Sequence, residues 1–563
     1  MTVSATVCDS TPPVHSDTTA TATSTALGVD IRRFPWIRRF ATDYAYAFQD
    51  VAPYFSGNPA EPEAWAGAIA RRQAHVGAPA ELARVLSAQQ ERRGAPAAAR
   101  AAAERLADPR TAVVITGQQA GLFGGPLFTL LKALTAMKLA RQVSKDHGVP
   151  VVPVFWIDAE DHDWPEVSSS TLLDVEFVPR TLTLGKLAGA GHLPIARLTL
   201  DEQIDAAIET LQTTLPETEF RSSLVESVRN AYRPGFSMAE AFGRWIESVL
   251  GPHGLVVYDS SDPAAKPLAR RMFAHELEHP GKTAELASKA GQGLVAAGYH
   301  AQVTPPEGAV SLFYLNGGRE SVKFDGERAT VGERETTLAA LKDEVERSPE
   351  HFSPNVLLRP IVQDALFPTI CYVAGPNELA YLGQLREVYA HFNVPMPLMY
   401  QRATATIVDS ATVRFLTKYD LAVEALRPQG EAVLNQLLQD QLPPTVEQGL
   451  HTVSSVVEER MAQLAAAVPQ IDPTLEGTVK STLGRMQNDL RTLHNKVIQA
   501  AKRRDETLRR QFQRAQALTF PNGHPQEREI GFVWFSNRYG PALVDRLLED
   551  LPLDMGNHWV LTI

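Results

Sequence analysis

The densest chemistry in the chain is the run Asp158-Ala159-Glu160-Asp161-His162-Asp163, which sets four carboxylates and one imidazole directly ahead of Trp164. A histidine between acids is held in one tautomer and made more basic. Asp161, His162 and Asp163 are therefore the candidate acid–base groups, with Glu160 a candidate binding group. The chemistry that suits them is proton abstraction from an amine, or hydrogen bonding to a sugar or phosphate. The bland origin of such a run is a solvated turn. Metal ligation would want a second histidine cluster; none is read here, and no metal is expected.

A second set lies upstream in ITGQQAGLFGGPLFTLLK, residues 115–132. Gly117, Gly121, Gly124 and Gly125 let backbone amides approach a ligand, and a helix starting at Pro126 would present its amino terminus to an anion. Neither GxxxxGK[ST] nor GxGxxG is present, so the loop fits neither standard phosphate fingerprint. Adjacent amides at Gln118 and Gln119 offer donors and acceptors to a polar ligand. Thr129 and Trp156, on the flanking helix and strand, complete the candidate set on this side. Lys132 reads as part of a solvated helix face.

The third set is in RPIVQDALFPTICYVAGPNELAYL, residues 359–382. Arg359 has the planar, permanent charge that grips a carboxylate or phosphate, with a salt bridge to Asp364 as the structural alternative. Gln363, Asn377, Glu378 and Tyr381 accompany it, the last three after an apolar strand, Thr369 to Val373. Cys371 inside that strand reads as a buried, inert thiol.

Positioning these groups requires a particular scaffold. Thr111 to Val167 reads as strand, glycine loop, helix and strand, a parallel βαβ unit whose ligands gather at the carboxyl ends of its strands. GLVVYDSSDP, from Gly254, is another strand and turn, and Thr369–Phe392 repeats strand, turn and helix. Asn316-Gly317 is a hairpin signal in a small antiparallel insertion.

Around this α/β core, residues 1–28 read as a disordered Ala/Thr/Ser tail. Val446 to Val468 keeps near-heptad apolar spacing. After a Pro-containing break, Val479, Leu483, Met486, Leu490, Leu493 and Val497 alternate fours and threes. That spacing predicts an antiparallel helical hairpin, its second helix about 65 Å long if continuous over 474–518. A second subunit is the economical cover for its stripe, so a homodimer is expected.

The chain has 563 residues, 44% hydrophobic and 21% charged, ample for several structural units. A net charge of −11 argues against nucleic-acid binding. Two cysteines are too few for a disulfide framework. No apolar run reaches membrane-spanning length, and the first Lys or Arg is Arg32, unlike a secretory signal. A cytoplasmic protein without membrane contact is the expectation.

ITGQQAGLFGGPLFTLLK, PVFWIDAEDHDWPEV, YDSSDP, GYHAQV, RPIVQDALFPTICYVAGPNELAYLGQL and QEREIGFVWFSNRYGP together resemble the bacillithiol-synthesis BshC family, from about Phe34 onward. The resemblance implies a Rossmann-like parallel-sheet core over 29–410 with inserted connecting segments at about 170–235 and 295–350. It implies a helical coiled coil over 411–520, used for dimerisation, and a segment over 521–563 that packs back on the core. It further implies a cysteine ligase adding L-cysteine to the amine of glucosaminyl-malate to form bacillithiol. Amide formation from a free carboxylate is uphill, so ATP or another adenine nucleotide is expected by analogy with synthetases. The competing expectations are a synthetase-like nucleotidyl transfer to another small acid, and a non-catalytic coiled-coil adaptor.

Overall fold

The computed structural model describes residues 26–75, 79–315, 317–441, 444–504 and 506–563. Its centre is a five-stranded, all-parallel sheet of β1 (Ala112–Gln119), β2 (Val151–Asp158), β3 (Val256–Asp259), β4 (Thr369–Ala374) and β5 (Leu398–Gln401). The spatial order is β5-β4-β1-β2-β3. This is the Rossmann order, and it reverses direction between β1 and β4.

The strands are near-continuous apolar runs because both faces are covered. Along β2, Val154 and Trp156 enter one core while Phe155 and Ile157 enter the other. Side chains of that size each contribute roughly 1.5–3 kcal/mol when fully buried. Phe155→Ala would accordingly cost about 3–5 kcal/mol by opening a cavity beneath the site.

The helix after β1, Leu127–His147, is buried along much of its circumference and stops at Gly148, which adopts φ 65° as a left-handed cap. It includes the buried Lys132 and Thr135, so Lys132 does not lie on a solvated face.

Two inserted segments flank the sheet's carboxyl end. The first comprises a hairpin, Ser169–Leu173 with Pro179–Thr183, and helices Gln203–Thr214 and Arg221–Ala231. The second is an antiparallel five-stranded sheet that includes Ala309–Tyr314 and Glu320–Phe324. These two strands are joined across 315–319, where the hairpin was expected, although Asn316 lies outside the described residues.

Helices Pro444–Ala467 and Leu475–Arg504 form the expected antiparallel hairpin. Residue 505 lies outside the described residues, and a further helix runs over Glu506–Thr519. Val453, Leu464, Met486 and Leu493 remain 37–49% exposed on this hairpin.

The expected tail lies mostly outside the described residues, but Ala26–Asp30 is a strand. It pairs antiparallel with Asn557–Thr562, which pairs in parallel with Thr404–Val408. The segment after 521 therefore ends as a strand rather than a helix. No helix among the described residues is long and apolar enough to cross a membrane.

Candidate functional site

A cavity of 260 Å³ opens at the reversal point between β1 and β4, lined by Gly117, Gln118, Gln119, Asp158, Asp161, Glu166, Arg319, Pro354, Asn355, Val356, Arg359, Tyr372, Glu378 and Tyr381. The end of β1 supplies the glutamines, the end of β2 supplies Asp158 and Asp161, and β4 with its following turn supplies Tyr372, Glu378 and Tyr381. Arg359 comes from the start of helix Arg359–Leu366. Crevices of this kind are where open parallel sheets bind ligands.

Lys132 crosses beneath the cavity. Its Nζ lies 2.6 Å from Glu378 Oε1, 3.0 Å from Gly117 O and 3.2 Å from Gln118 Oε1. Glu378 Oε2 also accepts from Gly375 N–H at 2.7 Å. Burial alone would raise the Glu378 carboxyl, but Lys132 and these hydrogen bonds hold it below its ordinary value. Burial draws Lys132 downward, opposed by Glu378. One ion pair thus ties the helix after β1 to the turn after β4.

Arg359 Nε is 3.6 Å from Asp158 Oδ2, its Nη1 donates to Gln363 Oε1 at 3.2 Å, and its Nη2 reaches Tyr381 Oη at 3.5 Å. Asp364, the partner considered from sequence, instead accepts from Tyr389 Oη at 2.6 Å and Gln363 Nε2 at 3.0 Å. Gln363 therefore supports Arg359 from behind. Burial pushes the Asp158 carboxyl up, Arg359 opposes, and Asp161 adds to the rise.

Gln119 Nε2 donates to Asp161 Oδ2 at 2.9 Å, and Arg319 Nη1 lies 3.3 Å from Asp161 Oδ1. Arg319 also lies over the Phe313 ring at 3.7 Å, which desolvates its inner face. Gln119 Oε1 and Arg319 Nε are buried without a partner. Glu166 stands at the outer lip. Partial burial of its carboxyl pushes it up, a Gln119 hydrogen bond opposes, and Asp163 and Asp161 add to the rise.

The remaining expected residues fall outside the cavity lining. His162 is exposed at the rim, with Nδ1 3.2 Å from both Asp161 Oδ1 and Arg319 Nη1. Asp163 caps the short helix Trp164–Val167 by accepting Glu166 N–H. Glu160 is turned inward onto Lys266 and borders a neighbouring 410 Å³ cavity with Arg92, Arg93 and Arg197. Trp156 packs in the core against Tyr258 and Phe367. Asn377 Oδ1 is buried and unpartnered but does not face the cavity.

Gly121, Gly125 and Thr129 lie behind the cavity, under the carboxyl-terminal segment. Gly125 O accepts from Phe532 N–H, Leu127 N–H donates to Ile530 O, and Gly121 O accepts from Tyr232 Oη. Gly124 has φ 94°, and a Cβ there would sit 2.2 Å from Phe532 Cε1. The glycines permit close packing, and the amides of Gly121, Gly124, Gly125 and Leu127 already have acceptors.

Sequence patterning offers no signal for Arg319, a lone arginine in a glycine-rich turn, or for Glu166, beyond the acidic run. The structure also gathers His275, His279 and His391. The four-residue spacing of the first two is legible in the sequence, and the expectation of no metal ligands does not account for it.

The chain matches two family models: "Bacillithiol biosynthesis BshC, N-terminal Rossmann-like domain" over residues 29–403, and "Bacillithiol biosynthesis BshC, C-terminal coiled-coil domain" over 405–563. A relative from Salinibacter ruber, named "Putative cysteine ligase BshC", is 34% identical over 92% of this chain and 95% of its own. Relatives of the same name from Chlorobaculum tepidum and Symbiobacterium thermophilum are 33% and 34% identical, over 80% and 86% of this chain and 82% and 89% of theirs. A Rossmann-ordered core with two insertions, a helical hairpin beyond it and matches along nearly the whole described length place this chain in the bacillithiol biosynthesis BshC family.

Proposed function

We propose that this protein is a cysteine ligase of bacillithiol synthesis, joining the carboxyl group of L-cysteine to the amine of glucosaminyl-malate in the cavity between β1 and β4. The observation that carries this reading is the pairing of opposite charges there. Asp158, Asp161 and Glu166 face Arg319 and Arg359, with Gln119 Oε1 and Arg319 Nε left without protein partners. Such a cavity suits a substrate carrying both carboxylates and an amine.

Arg359 and Arg319 bind the malyl carboxylates, since a guanidinium matches a carboxylate in geometry and charge. Asp161, fixed by Gln119, accepts hydrogen bonds from the amine and sugar hydroxyls. The amine must lose a proton as it attacks, and Glu166 receives it. Among the described residues no cation lies within ion-pair distance of Glu166, and its elevated pKa brings it nearer the working range of a general base. His162, at the rim, is the alternative acceptor and reaches the site through Asp161.

Condensation with a free carboxylate needs an activating co-substrate. An adenine nucleotide is the expectation by fold analogy, and no step is assigned to one because the amides of Gly121, Gly124 and Gly125 already have acceptors. The exposed stripe Val453, Leu464, Met486 and Leu493 supports a homodimer through the hairpin. Purified protein given ATP, L-cysteine and glucosaminyl-malate should yield bacillithiol by mass spectrometry. Failure with every nucleoside triphosphate, despite a folded dimer, would refute the ligase reading.

A further inference from the structure

We propose that His275, His279 and His391 bind one divalent transition-metal ion, with zinc the fitting occupant, and that this ion fastens the end of helix Lys266–Glu278 to the end of helix Arg386–His391. One ligand nitrogen from each ring lies within 4.8 Å of the other two. Nitrogens around a tetrahedral zinc at about 2.0–2.1 Å stand roughly 3.4 Å apart. Small side-chain rotations therefore close the set.

The rings behave as ligands in waiting. Nε2 of His275 and Nε2 of His391 are buried with no hydrogen-bond partner, an uncompensated desolvation that a metal would relieve. His279 Nδ1 lies 3.1 Å from His275 O, which places the proton on Nδ1 and leaves Nε2 as the free lone pair. A backbone carbonyl fixing the distal nitrogen is the usual support of a metal-bound histidine. Phe392 packs against His275 and His391 at 4.7 and 5.3 Å and limits their rotation. Of the nearby charges, Arg271 opposes a cation, Lys282 is engaged by Glu285, and Glu278 favours one.

His275-Glu276-Leu277-Glu278-His279 has the spelling of a zinc hydrolase helix, in which the glutamate is the general base. The geometry argues otherwise. Glu276 is fully buried, with Oε2 taken by Thr283 Oγ1 at 2.5 Å and Oε1 by Ser311 N–H at 2.7 Å. It is committed to the fold and cannot reach a metal-bound water. The site is therefore a clamp. Its helix begins at Lys266, which holds Glu160 at the edge of the 410 Å³ cavity, so the ion steadies that helix from the opposite end.

The test uses the tag-free full chain, loaded with zinc, desalted and analysed by mass spectrometry for metal content. One zinc per chain should remain, and zinc should raise the melting temperature. His279→Ala, at an exposed position, should fold normally and bind zinc at least about 100-fold more weakly, because losing a ligand exceeds the 10–100-fold cost of losing an outer-shell partner. His391→Ala should behave alike, and cobalt(II) should give a tetrahedral visible spectrum only in the wild type. No retained zinc in the wild type, or equal retention in both variants, would overturn the proposal.

Discussion

Lys132 Nζ and Glu378 Oε1 lie 2.6 Å apart, joining the helix that follows β1 to the turn that follows β4 across the reversal point of the sheet. Neither side chain has another ion-pair partner among the described residues. The pair therefore ties the two sides of the crevice together, and losing one member leaves the other without its counter-charge.

Glu378→Gln alone should cost about 3 kcal/mol of stability, because it leaves the buried Lys132 charge uncompensated, and Lys132→Met should cost less, because Glu378 reaches the open cavity. The double variant Lys132→Met/Glu378→Gln should cost clearly less than the sum. Urea unfolding of all four proteins measures this, and strict additivity would show that the pair is not coupled.

Arg359→Lys keeps the charge but loses the planar fork. It should lower kcat/KM for glucosaminyl-malate about 10–150-fold, the worth of one charge-assisted hydrogen bond of about 1.5–3 kcal/mol. The cysteine KM should change little. Equal effects on both substrates would mean that Arg359 shapes the cavity without touching the malyl group.

Glu166→Gln should lower kcat about 10²-fold or more and flatten the acid limb of the rate profile. In the wild type that limb should lie above the ordinary carboxylate range, since Glu166 is pushed up. His162→Ala, altering a rim residue, should do less. A larger loss in His162→Ala would move the base to the imidazole.

His558 is buried beside Thr406 Oγ1, and burial holds its pKa down to about 4. An unfolded histidine titrates near 6.5, so the unfolded chain takes up a proton that the fold refuses. The stability this provides is complete above about pH 6.5 and is lost as pH falls toward 4, roughly 3 kcal/mol across the window. Urea midpoints at several pH values should show the decline in the wild type and a shallower one in His558→Gln. Parallel profiles would assign acid sensitivity to other groups.

Removing residues 446–518 and bridging the gap should convert the dimer to a monomer by light scattering. An unchanged dimer mass would place the interface elsewhere.

Much of the scaffold was legible in the sequence because a parallel sheet covered on both faces writes itself as unbroken apolar runs, as at Val151–Ile157 and Thr369–Ala374. The loops leaving such runs bring Gln118, Gln119, Asp161, Arg359, Glu378 and Tyr381 into one cavity. The remainder depended on partners remote in sequence. Lys132 reads as a solvated cation until helix Leu127–His147 is seen to be buried nearly all round. Gly121 and Gly125 read as a ligand cradle until Ile530 and Phe532 cover them. Arg319 arrives from an inserted sheet whose pairing no local pattern foretells. His391 meets His275 only through the packing of two helices.

The strand Asn557–Thr562 has a further consequence for how the protein is made. It pairs with Ala26–Asp30, residue 26 against residue 561, and bridges to Thr404–Val408. Glu527 likewise neutralises Arg402 at 2.7 Å, and Phe532 seals the Gly121–Gly125 turn. While the ribosome is still synthesising the hairpin, the core has a buried arginine without its counter-charge and a loop without its cover. The crevice can be completed only after the last of these segments has emerged, so a polypeptide cut short within the hairpin lacks a finished site, however much of the core it contains.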